Sequence, residues 1–260
     1  MVFKLLTIMG TYFELFFLFL MAIIGGAVNV TIGGGWFVIF PSLIFRGIQP
    51  VTGTATTTII LLSGFLVSSK PIKKTKEISK RHFNYMVLAC TIGGVTGAFL
   101  LVAFSHKVFE TIAPFLLLCS WILFTFYNQI QHYFNAEFAV KKEFRYSHKK
   151  LIPIFLLGIY GGYFGAGMGM IIFILYSFYG IKNNETLERL ALLLVGANNG
   201  IAVLIFICSG LIFWPFALVM ITGSILGGYL GNAFKEKINI ARVKKNAIVI
   251  GATVTLYFLL

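Results

Sequence analysis

The chain has 260 residues, 58% of them hydrophobic and 11% charged, and its mean hydropathy is +0.92. Soluble domains carry roughly 25% charged residues, so a soluble enzyme, a disordered chain and a disulfide-stapled module are excluded and a polytopic membrane protein remains. The charge of +13 comes from 21 Lys and Arg against eight acids, all Glu; because the bases alternate with apolar runs, they read as loops held on the cytoplasmic side, and no nucleic-acid partner is expected.

The first apolar run covers about 9 to 45. Lys4 ahead of it gives a faint likeness to a signal peptide, but Glu14 interrupts the run, which continues past residue 40, so the segment is expected to be retained. The run is too long for one spanning helix of about 20 residues and is interrupted by Gly33-Gly34-Gly35. Runs at 52 to 69, 83 to 104 and 111 to 134 follow, each fit for one helix. The fifth run, 151 to 181, repeats the anomaly of the first and is interrupted by Gly161-Gly162, Gly165, Gly167 and Gly169. Glycine inside a helix costs about 1 kcal/mol relative to Ala, so both long runs are predicted to be broken or re-entrant. Single-helix runs at 187 to 209, 213 to 233 and 246 to 260 complete the chain.

Basic residues concentrate in three loops. Lys70, Lys73, Lys74, Lys76, Lys80 and Arg81 lie in 70 to 82; Lys141, Lys142, Arg145, Lys149 and Lys150 in 135 to 150; Lys235, Lys237, Arg242, Lys244 and Lys245 in 235 to 245. These are 16 of the 21, and all three loops are expected to be cytoplasmic. Cys90, Cys119 and Cys208 sit in apolar runs and read as small buried residues. His82, His106, His132 and His148 fall in or beside loops without ligand spacing, so neither a metal site nor a cofactor is expected.

The two long runs correspond. Gly26, Gly33 and Gly35 match Gly158, Gly165 and Gly167 at an offset of 132, and Gly93-Gly94-x-x-Gly97 matches Gly227-Gly228-x-x-Gly231 at 134. A duplicated unit of about five segments follows, with a first repeat at 1–134, a basic linker at 135–150 and a second repeat at 151–260. A basic loop precedes the Gly93 helix but follows the Gly227 helix; the stretch 209 to 214 is uncharged and 104 to 108 carries only Lys107 as a full charge. With all basic loops inside, the repeats are inverted and both termini come out external. The predicted fold is therefore all-α: an integral membrane protein of two inverted repeats, each opening with a glycine-broken or re-entrant helix. Inverted halves with matching broken segments are a pattern of secondary transporters, because a broken helix presents unpaired backbone groups to a substrate.

The ordered motifs resemble the TauE/SafE family of sulfite and sulfonate exporters. The resemblance rests on Gly26-Ala27-Val28-Asn29-Val30-Thr31-Ile32-Gly33-Gly34-Gly35, then Pro41-Ser42-Leu43, Gly47, Pro50 and Ala55-Thr56-Thr57-Thr58. In the second half it rests on Gly158-x-x-Gly161-Gly162-x-x-Gly165-x-Gly167-x-Gly169 and the paired amides Asn198-Asn199. It covers essentially the whole chain. Asn29 stands where many members carry Asp, and Val195 where many carry Asn. The resemblance implies a secondary transporter of sulfite, an organosulfonate or a related small anion.

Candidate substrate-binding residues are Asn29, Gly33, Gly34, Gly35, Thr56, Thr57, Gly165, Gly167, Gly169, Asn198 and Asn199. The glycines present backbone N–H groups to an anion or serve close helix packing. The amides bond to broken backbone or face substrate, and the threonines, with Thr54 and Thr58, bind substrate or bond back to their own helix. Gly93, Gly97, Gly227 and Gly231 read as packing positions. Arg46, Lys182 and Arg189 are the bases nearest the broken runs, as anion partners or snorkelling side chains; Glu14 is the one carboxylate well inside an apolar run and a candidate for proton coupling. The expected partners are a small anion and the lipid bilayer, in the plasma or inner membrane; the oligomeric state is left open. No nucleophile and base or paired acids suggest an enzyme. An anion channel and a non-transporting scaffold are the alternatives.

Overall fold

A computed structural model describes residues 2–68, 80–104, 106–137, 147–181, 184–234 and 240–259. Among them every regular element is a helix. The helices are α1 (Val2–Ile32), α2 (Trp36–Ile44), α3 (Pro50–Ser68), α4 (Lys80–Ala103), α5 (His106–Glu137), α6 (Leu151–Tyr163), α7 (Met168–Phe178), α8 (Asn184–Cys208), α9 (Trp214–Ala233) and α10 (Ile240–Leu259). Six of them, α1, α3, α4, α5, α8 and α9, are long and apolar enough to cross a membrane. Large apolar side chains such as Phe13, Phe115, Leu204 and Tyr229 stand exposed, as a lipid-facing surface requires. Each of the six ordinary apolar runs coincides with one helix, α3, α4, α5, α8, α9 or α10, and both long runs are broken, the first at Gly33-Gly34-Gly35 and the second at Gly165 and Gly167, while Gly161, Gly162 and Gly169 lie inside α6 and α7. Most of loops 70 to 82 and 135 to 150 lies outside the described residues, as does 235–239 of the third.

One compact unit contains α1, α2, α3, α9 and α10 as far as Val254; the other contains α4 to α8. Each thus takes two helices from the other half of the sequence, α9 and most of α10 in the first unit and α4 and α5 in the second. In the first unit α1 ends where Gly33, at φ 72°, donates its N–H to Asn29 O at 2.9 Å. That left-handed conformation stops a helix, and glycine adopts it without a Cβ penalty. α2 then runs back along α1: Gly25 lies against Ile39, and Glu14 pairs with Arg46 just beyond α2. In the second unit α7 runs back along α6. Gly161 lies against Met168, and at the open end Lys150 Nζ sits 4.7 Å from the Tyr179 ring centre. α2 and α7 hold 9 and 11 residues; at 1.5 Å per residue they are about 14 and 17 Å long, well short of the roughly 30 Å hydrocarbon core.

In each unit one further helix, α9 or α4, is docked on the hairpin through glycine. On α9, a methyl group at Gly223, Gly227 or Gly231 would overlap Phe19, Ile23 or Ala27 backbone of α1. On α4, one at Gly93 or Gly97 would overlap the Phe155 or Ile159 carbonyl of α6, whose Gly158 and Gly162 in turn meet Cys90 and Gly94 backbone. Leucine packs no better against leucine than against lipid, so membrane helices associate where small residues let backbones touch. The expected packing role of Gly93, Gly97, Gly227 and Gly231 matches these contacts.

Candidate functional site

In the first unit the break is tightly closed. Gly34 and Gly35 are buried, and a methyl on Gly35 would collide with Gly25 O, the Asn29 Cβ and Leu61. α2 starts by turning Phe37 N–H onto Gly34 O at 3.1 Å, and Val38 and Ile39 N–H onto Gly35 O at 3.1 Å. Gly53 and Leu61 of α3 lie against α2 and the break. Thr57 sits four residues from each, on the same helical face; its hydroxyl is buried without a hydrogen-bond partner, as is that of Thr54. Thr58 bonds back to Thr54 O at 2.9 Å. Thr56 accepts the Phe213 N–H at 3.0 Å, satisfying the residue that leads into α9. Thr56→Val keeps the shape and removes that acceptor. The part-buried N–H left behind should cost about 1 to 2 kcal/mol, within the usual range for an unsatisfied group. The thermal midpoint of the purified protein should fall by about 2 to 8 °C; an unchanged midpoint would show the bond contributes nothing.

In the second unit the break is looser and better furnished. Phe164 and Gly165 N–H both reach Tyr160 O, at 2.9 and 3.1 Å. Gly165 and Gly167 take φ of 79° and 70°, and Gly167 caps α7. The Ala166 carbonyl accepts from the Tyr160 hydroxyl, which lies 2.6 Å from Ser120 Oγ of α5. A methyl built on Gly167 or Gly169 meets no atom within 4 Å. Beside the break, on the Gly161 side of α6, lies Asn198 of α8. It is fully buried in the slot made by Gly94 and Gly161, its Oδ1 is touched by Cys90 Sγ at 3.9 Å, and its Nδ2 has no partner. Asn199 Oδ1, next along α8, is buried and likewise unpartnered.

Within the second unit the structure puts Asn198 and the Met168 side chain of the α7 start both against Gly161, with Gly165 beside the Gly161 carbonyl, and within the first it puts Asn29 against Gly35. The charged candidates are not at the glycine breaks. Arg46 is taken up by Glu14 at the open end of the α1–α2 hairpin, so the candidate anion partner and the candidate proton carrier are partners of each other. α1 begins at Val2, but its apolar span starts at Tyr12, which leaves Glu14 in the first turn of that span. Arg189 stacks over Phe83, 5.7 Å from the ring centre, nine residues before Asn198 on α8; that is about 14 Å of helix. Lys182 lies outside the described residues. Sequence reasoning missed Ser120 and Tyr160, and also Ser224, whose buried hydroxyl is unpartnered against Gly26 and Gly64. A lone serine or tyrosine inside an apolar run carries no periodic signal.

α2 and α7 each start at a glycine, Gly35 and Gly167, and helix N-termini favour anions, although at α7 the Met168 N–H is already taken by Gly165 O at 3.4 Å. Known membrane transporter proteins resemble the chain over most of its length. A profile of the family described as "Sulfite exporter TauE/SafE" matches residues 18–258. A "Probable membrane transporter protein" of Haemophilus influenzae is 24% identical over 214 residues, 82% of each chain. The "Probable membrane transporter protein YfcA" of Escherichia coli K12 is 25% identical over 227 residues, 83% of this chain and 78% of its own length. A "Probable membrane transporter protein YunE" of Bacillus subtilis is 24% identical over 244 residues, 85% of this chain and 88% of its own. No solved structure matches.

Proposed function

Since the chain belongs to the TauE/SafE sulfite exporter family and is a multi-pass membrane transporter, we propose that it moves a small sulfur oxyanion or organosulfonate by alternating access. The observation that carries this reading is the α6–α7 break, where the unpartnered Asn198 amide lies beside a glycine-capped helix start. Backbone N–H groups and an amide suit a monoanion, because helix N-termini contribute about 0.3 to 1 kcal/mol each at exposed sites and up to about 2 when partly buried.

The inverted repeat is supported by register. Gly93 and Gly97 meet Phe155 and Ile159, while Gly227 and Gly231 meet Ile23 and Ala27. The second set follows from the first by the offsets of 134 and 132 already seen in the glycine motifs. Likewise Gly158 meets Cys90 where Gly26 meets Ser224. In this reading α1–α2 and α6–α7 are the re-entrant hairpins that open two inverted repeats, with the basic loops cytoplasmic. The repeats fall at 1–134 and 151–260.

The reading is tested by thermal stability of purified protein in detergent with sulfite, sulfate, thiosulfate, taurine or sulfoacetate at matched ionic strength. Saturable stabilisation by one or more of the sulfur anions above a chloride control is expected, since a ligand at about 100 times its Kd adds about 2.7 kcal/mol. No stabilisation by any of them would contradict it.

A further inference from the structure

Asn198 and the α7 start are polar groups in an apolar setting, and something must aim them. A trans peptide holds its C=O and N–H in opposite directions. The Ala166 carbonyl is pinned by the Tyr160 hydroxyl, whose oxygen accepts from the Ser120 hydroxyl at 2.6 Å; Leu116 O, also 2.6 Å from Ser120 Oγ, is the competing acceptor for that one Ser120 proton. Pinning Ala166 O towards Tyr160 turns the Gly167 N–H of the same peptide away from it. That N–H takes no acceptor among the described residues. A methyl group on Gly167 would meet no atom within 4 Å beyond its chain neighbours, so the space beside its Cα is open. The second observation is independent: Asn198 is fully buried, and its unpartnered Nδ2 reaches α6 at Gly161 rather than at Tyr160.

We propose that Tyr160, anchored by Ser120, is a positioning residue that aims the Gly167 amide, with Asn198 Nδ2, at the transported oxyanion. This rests on the anion-transporter reading and adds to it a division of labour: the α6–α7 break holds the ligand, while the closed α1–α2 break has no room for one at Gly35. Tyr160 touches no substrate. Its hydroxyl acts through one carbonyl, so its loss should loosen the donor set without stopping the conformational cycle.

The test is initial-rate sulfite uptake by full-length protein in proteoliposomes, comparing wild type with Tyr160→Phe, Ser120→Ala and Gly169→Ala. Tyr160→Phe keeps the ring and removes the bond to Ala166; KM should rise about tenfold with Vmax within about twofold, the scale of one lost hydrogen bond to an ion's donor set. Ser120→Ala should raise KM about threefold. Gly169→Ala, which adds a methyl where there is room for it, should raise KM while leaving the anion-free thermal midpoint unchanged. A purely structural Tyr160 would instead lower Vmax or the midpoint and leave KM alone, and that result overturns the proposal. Should Tyr160→Phe fail to reconstitute, unchanged KM in both Ser120→Ala and Gly169→Ala overturns it equally. Saturable wild-type uptake with unchanged KM in the variants leaves the transporter reading standing; absence of saturable wild-type uptake removes both.

Discussion

Replacing Asn198 by leucine is expected to abolish most transport while leaving the protein at least as stable as wild type. Leucine has nearly the same branched shape, so it fits the slot between Gly94 and Gly161. Asparagine there holds a buried Nδ2 with no partner and an Oδ1 whose contact is a thiol at 3.9 Å. An unsatisfied buried polar group costs about 1 to 3 kcal/mol, and leucine is the better helix former by several tenths of a kcal/mol. A residue kept only for packing would therefore be better as leucine. If Nδ2 donates to the anion, its loss removes a charge-assisted bond of about 1.5 to 3 kcal/mol, a drop of about 10- to 100-fold in affinity. Binding and thermal midpoint measured on the same preparation separate the two roles. Full binding in a stable Asn198→Leu protein would leave the amide without a function.

The opposite pattern is expected at the docking glycines. Gly227→Leu and Gly97→Leu each drive a four-carbon side chain into backbone, the Ile23 carbonyl in one case and the Ile159 carbonyl in the other. Backbone cannot step aside as a flexible side chain does, so the helix must separate. Overpacking a core costs about 1 to 3 kcal/mol and more where nothing can relax, against a total stability of only about 5 to 15 kcal/mol. Both variants should lose the monodisperse peak on size-exclusion chromatography or melt more than about 8 °C early. Gly169→Ala, where no atom lies within 4 Å, should behave as wild type in the same assay. Normal stability of Gly227→Leu would mean that α9 does not rest on α1 through this face.

The helices were legible from sequence because their signal is local. An apolar run of about 20 residues has one stable form in a bilayer, and Gly33-Gly34-Gly35 and Gly165-x-Gly167 mark chain reversals by residue type alone. The partners of the docking helices were less legible. Gly93-Gly94-x-x-Gly97 announces a close neighbour but does not say which, and the neighbour of α4 is α6. The polar contacts were least legible. Thr56 meets Phe213 across 157 positions, and Glu14 meets Arg46 across a hairpin; neither spacing repeats, so each residue was read separately. Of the site, the glycines and Asn198 could be named because they recur or pair in sequence. Tyr160 and Ser120 could not, since their use depends on how the peptide after Ala166 is turned.

Counterflow tests the central claim most directly. Proteoliposomes loaded with unlabelled sulfite are diluted into a trace of labelled sulfite, and internal label is followed with time. Alternating access through the broken-helix site predicts a transient accumulation of label above equilibrium, abolished in Asn198→Leu and suppressed by external taurine or sulfoacetate if they share the site. Monotonic filling to equilibrium at a rate linear in concentration, or filling no faster than in protein-free vesicles, would contradict it.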